Sequence, residues 1–92
     1  MKAKIKNFIV CPDESIEVNF QTEKKITETG RKELLKHIAD NLQGFNTVGP
    51  LCEGSLPNEY DLWLAFYDDV RFINAVTIMD TLNQLFESFK KK

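Results

Sequence analysis

Apolar and polar positions alternate most cleanly in two stretches. From Ser15 to Phe20, Ile16, Val18 and Phe20 interleave with Ser15, Glu17 and Asn19. From Asp61 to Tyr67, Leu62, Leu64 and Phe66 interleave with Asp61, Trp63, Ala65 and Tyr67. A period of two is that of a strand with one buried face, because successive side chains leave the pleat on opposite sides. Two further strands are predicted less sharply. Residues 3–10, Ala-Lys-Ile-Lys-Asn-Phe-Ile-Val, are rich in strand formers, but Ile5 and Ile9 share one face while Phe8 and Val10 share the other. Cys11-Pro12-Asp13-Glu14 breaks this run, since proline cannot donate to a ladder and aspartate favours turns, so the first two strands form a hairpin. A short strand at 47–52 is bent at Pro50, which makes it an edge strand.

Steps of three and four mark two helices. The first runs from about Glu28 to Gln43, with Leu34, Leu35, Ile38, Ala39 and Leu42 as its buried stripe. Thr27 is its N-cap, Glu28 suits the dipole in the first turn, and Gly44 is placed to end it. The second follows Asp68-Asp69 and runs to the chain end, with Phe72, Ile73, Val76, Met79, Leu82, Phe86 and Phe89 at helical spacing. A rival reading makes Asp68-Asp69 a hairpin turn and Val70 to Met79 a strand, since that segment is rich in β-branched residues. Odd and even positions there are both apolar, and the three-four spacing persists to Phe89, which favours the helix.

The order strand, strand, helix, strand, strand, helix predicts an α+β two-layer sandwich. Its sheet is four-stranded and mostly antiparallel, with two helices on one face. The 92 residues fit a single domain, 1–92, with 42% apolar and 28% charged residues. The net charge of −2 disfavours a duplex nucleic-acid binder, whose affinity comes mainly from phosphate contacts. No apolar run reaches the ~20 residues of a membrane span, and the Lys-rich start has no apolar segment behind it, so the expected location is cytoplasmic. Cys11 and Cys52 have no zinc-ligand spacing and are expected as free, buried or half-buried thiols.

Candidate chemistry is sparse. His37, the only histidine, lies off the main stripe of its helix four residues after Glu33, as a solvated side chain would. The carboxylate pairs Asp13-Glu14, Glu59 with Asp61, and Asp68-Asp69 fit turns and caps, and match no metal-binding loop. Neither a cofactor nor a catalytic constellation is indicated, and the chain reads as a non-enzyme. What remains is surface. If Leu62, Leu64 and Phe66 face the helices, Trp63 and Tyr67 are neighbours on the outer face of the sheet, joined by Phe8 and Val10 if Ile5 and Ile9 point inward. An aromatic face of this kind marks an interface if it is exposed; the alternative is that the segment from Phe45 to Tyr60 or the chain end folds over the rings. The segment from Phe45 to Tyr60, punctuated by Gly49-Pro50, Gly54 and Pro57-Asn58, is a second candidate, with Glu53 and Glu59 as its charged groups.

These features predict a small protein-binding module of inhibitor, immunity or adaptor type, whose partner is a second copy or another protein. The alternative is single-stranded nucleic acid stacked on the open face, with Lys4 and Lys6 flanking it. An enzyme built on the 45–60 segment is the least supported reading. No membrane or small-molecule substrate is indicated.

Overall fold

The computed structural model describes residues 1–11, 15–42, 45–66 and 75–89. They form β1 (Ala3–Val10), β2 (Ser15–Thr22), α1 (Glu28–Asn41), β3 (Phe45–Glu53), β4 (Glu59–Phe66) and α2 (Ala75–Ser88). The four strands make one antiparallel sheet in the order β1-β2-β4-β3, an α+β sandwich as predicted. β2 and β3 both run antiparallel to β4, so they are parallel to each other with β4 between them. Parallel strands cannot be joined by a tight turn, and α1 supplies the crossover. It packs on β3, α2 packs on β1, and the helices touch each other over the middle of the sheet.

The two cleanly alternating stretches are the two central strands. Ile16 stands opposite Leu64, Val18 opposite Leu62 and Phe20 opposite Tyr60, and all six side chains are buried. Phe20 carries the pattern into the helical layer through Phe86, with ring centroids 4.6 Å apart, and packs against Tyr60 at 5.6 Å. The hydroxyl of Tyr60 accepts a 2.7 Å hydrogen bond from the backbone N–H of Ile26, just before α1. Ile26 is itself buried, so this bond satisfies a donor that water cannot reach.

Both helices follow the predicted positions with rotated stripes. Thr27 caps α1 through a 3.0 Å bond from the Gly30 N–H to its Oγ1, and Leu34, Ile38 and Leu42 are buried. Ala39 is exposed rather than buried, and Leu35 is half-buried against Gly49. Gly49 has φ of +119°, in the range that disfavours side chains, and a Cβ there would lie 3.1 Å from Leu35 Cδ2. In α2, Ile78, Leu82, Leu85, Phe86 and Phe89 form the buried stripe, while Val76 is exposed. The spacing holds, but the stripe is centred on Ile78 and Leu85 instead of Val76 and Met79. The segment from Ala75 to Met79 is helical, against the strand alternative; residues 67–74, including Tyr67, Asp68-Asp69, Phe72 and Ile73, lie outside the described residues, as does Gly44.

His37 is not solvated as expected. Its Nε2 lies 3.2 Å from the Leu85 carbonyl and 3.1 Å from Ser88 Oγ, and its ring is 5.7 Å from that of Phe89. These contacts fasten α1 to the C-terminal turn of α2; in the tautomer with its hydrogen on Nε2, the ring donates to the carbonyl, which can only accept.

The hairpin between β3 and β4 closes with Asn58 at φ of 61°, its carbonyl accepting from the Thr22 N–H at 2.9 Å. Replacing Tyr60 by Phe leaves the Ile26 N–H buried without an acceptor. Urea unfolding should show a loss of about 1–3 kcal/mol with an unchanged slope. Asn58→Ala should cost about 1–2 kcal/mol because alanine resists positive φ. Asn58→Gly, which loses the same side chain but accepts that φ, should recover most of the loss.

Candidate functional site

Both helices lie on one side of the sheet, and the described residues leave the other side bare. Which side chains reach that outer face is set by register. In an antiparallel ladder directly opposed residues share a face. The outer face of the central pair is therefore Glu17 opposite Trp63, Asn19 opposite Asp61, and Gln21 opposite Glu59, with Ser15 opposite Ala65 at one end. The β1 strand adds Lys4 beside Gln21, Asn7 beside Asn19, and Ile9 beside Glu17.

The β1 residues correct the sequence expectation. The register shifts between Ile5 and Asn7, where one extra residue interrupts the pairing. Ile5 stands opposite Phe20 and Phe8 opposite Val18, so both face the core, and both pack against it. Val10 stands opposite Ile16 on the same inner side, although it is 58% exposed at the strand end. Ile9, 51% exposed, takes the outer-face place assigned to Phe8 and Val10. The odd separation of Ile5 and Phe8 carried this signal. Two large apolar residues three apart can share a face of a strand only across a bulge. Trp63 is on the outer face as expected and is 37% exposed.

The 45–60 segment is also corrected. Most of it is strand, and irregular chain is confined to 54–58. Pro50 does sit on an edge strand, and Gly49 and Pro50 form the irregularity opposite Trp63. Glu53 and Glu59 are both engaged. Glu53 accepts from Arg31 at 3.0 Å and lies 4.0 Å from Lys25. Glu59, with its side chain 12% exposed, pairs with Lys6 at 3.3 Å. A cleft of about 160 Å³ opens at the hairpin tip beside Lys25, Glu53 and Leu56, with its charges already facing each other.

The outer face thus divides into two zones. Toward one end is a polar network centred on Asn19. Asn19 donates from Nδ2 to Asp61 Oδ1 at 2.8 Å and Glu59 Oε1 at 3.0 Å, holding two carboxylates apart, while Lys6 neutralises the second. The cost falls on the amide oxygen, since Asn19 Oδ1 is buried without a hydrogen-bond partner. Toward the other end the row Ile9–Glu17–Trp63 is apolar except for one carboxylate. Sequence reasoning placed Glu17 and Asn19 outward by alternation but did not single them out, because neither is chemically unusual alone.

Ser88 Oγ, the hydroxyl beside His37 Nε2, donates to the Leu85 carbonyl at 3.2 Å. The two cysteines are free, Cys11 half-buried and Cys52 exposed, the latter more open than expected. No three His, Cys, Asp or Glu side chains gather in metal-binding geometry among the described residues, and no helix there is long and apolar enough to cross a membrane. Comparison with family models, curated proteins and solved structures gave no match.

The network yields a sharp test. Asn19→Asp replaces a donor by a third carboxylate oxygen and should cost about 2–3 kcal/mol at pH 7, after allowing for partial solvent screening. Like charges raise the folded pKa of the introduced group above its unfolded value, so the penalty is full above that raised value, shrinks as pH falls below it and is gone below the unfolded value. Thermal unfolding of variant and parent should converge toward pH 4.

Proposed function

We propose that the protein is a non-enzymatic protein-binding module whose contact surface is the outer face of the sheet, with Trp63 as its anchor. The observation that carries this reading is a tryptophan 37% exposed on the side of the sheet opposite both helices. Tryptophan supplies a large apolar area at little entropic cost, and such residues dominate the energetics of protein interfaces. Trp63 sits on a central strand paired on both sides, so its backbone is fixed before any partner arrives.

The edges of the sheet are poor alternatives. β1 is interrupted by its bulge and carries Lys4 and Lys6, and β3 is interrupted at Gly49-Pro50. Charges, bulges and proline are the devices that discourage an added strand. A second copy docked by two-fold symmetry on the Trp63 row would bring the two Glu17 carboxylates together, which favours a different protein as partner. Glu17, Glu59 and Asp61 on the same face also count against nucleic acid, whose phosphates they would repel.

The test begins with the solution mass of nuclease-treated protein by light scattering, read together with the 260 to 280 nm absorbance ratio. A 10.6 kDa species with a protein-like ratio is expected. Immobilised parent and Trp63→Ala are then compared for proteins retained from the source cells. Truncating the anchor should weaken retention of the cognate partner by roughly tenfold or more while leaving the fold intact. Retention of every bound protein at parental levels by Trp63→Ala would refute the reading.

A further inference from the structure

We propose that Glu17 and Trp63 form a seat for an arginine side chain of the partner. This rests on the protein-binding reading of the outer face and names what that face recognises. Glu17 stands directly opposite Trp63 on one side and Ile9 on the other, so its carboxylate rises between two exposed apolar side chains. It is half-buried there. Among the described residues its side chain has no hydrogen bond or ion pair, in contrast to those of Glu59 and Asp61 on the same face, which are held by Lys6 and Asn19.

A carboxylate left unpaired between two apolar side chains offers the complementary charge for a cation brought by a partner. The indole beside it selects the kind of cation. Opposed side chains on adjacent antiparallel strands start from Cβ atoms about 5 Å apart, so one flat group can lie on the indole face and reach the carboxylate. A guanidinium meets both demands, being planar, weakly hydrated and forked toward a carboxylate. An ammonium is compact and strongly hydrated and meets them less well. The seat is rigid because β2 and β4 are each flanked by two strands. Ile9 closes its other side, and Lys6 does not compete because it is engaged by Glu59.

Trp63 is the only tryptophan in the chain, so its emission reports on the seat directly. The intact protein is titrated with an acetylated, amidated Gly-Arg-Gly peptide and, separately, with the same peptide carrying citrulline, which keeps the planar shape without the charge. The arginine peptide should change Trp63 emission and the Glu17 backbone amide resonance saturably, in the millimolar range, and the citrulline peptide should not. Glu17→Gln, which keeps the side-chain shape, should weaken binding roughly tenfold. Asp61→Asn, on the same face but one row away and already held by Asn19, should weaken it clearly less than Glu17→Gln does, as a charge outside the contact would. An equal response to citrulline, unchanged binding by Glu17→Gln, or an equal loss in Asp61→Asn would each overturn the seat. A silent titration would overturn it too while leaving the Trp63→Ala retention result standing, so failure of the seat and failure of the interface are read separately.

Discussion

The antiparallel pairing of β2 with β4 is the contact on which the rest of the molecule depends. It joins the two hairpins and places Ile16, Val18, Phe20, Tyr60, Leu62 and Leu64 on one side. Both helices are recruited to that apolar side, and Phe20 and Tyr60 couple the ladder to α2 and to the entry of α1. A shift of this pairing by one residue would turn every one of these side chains to the opposite face. The hydrophobic pattern therefore fixes register, and register fixes what is left outside.

The outer face follows from the same constraint. Once the buried set is chosen, Glu17, Asn19, Asp61 and Trp63 have no other place to go. Asn19 resolves the crowding of Glu59 and Asp61 by giving its amide hydrogens to both, and Lys6 reaches across from β1 to complete the charge balance. Among the described residues the row containing Trp63 has no such internal partner for its carboxylate. The face is thus cross-linked by side-chain hydrogen bonds at one end and dominated by Trp63 and Ile9 at the other.

The parts of this architecture that depend on periodicity were legible in the chain. The central strands, the helix starts at Thr27, the edge position of the strand containing Pro50 and the α+β order all follow from patterns within single elements. The misreadings concern relations between elements. The bulge at the middle of β1 exchanges Phe8 for Ile9 on the outer face, and alternation within β1 alone could not say which hairpin partner each residue meets. The role of His37 depends on where the last turn of α2 arrives, a distance in space that no local spacing encodes. Similarly, Glu53 and Glu59 looked like free charges of a loop until Arg31 and Lys6 came to stand beside them. Pairing partners distant in the chain decide whether a charged group is available.

That distance also governs the order in which the chain can assemble. Asn19 and Asp61, neighbours across the central ladder, are separated by 42 residues. The hairpin of β1 and β2 is complete early in synthesis, but its apolar face has no strand beside it until β4 has emerged. Loop closure of that length must be completed before the ladder rewards it, which slows folding relative to proteins built from local contacts. A nascent chain paused before Glu59 exposes Ile16, Val18 and Phe20 together, and in the crowded interior of a cell that interval is when the polypeptide is most open to chaperones, proteases and its own neighbours.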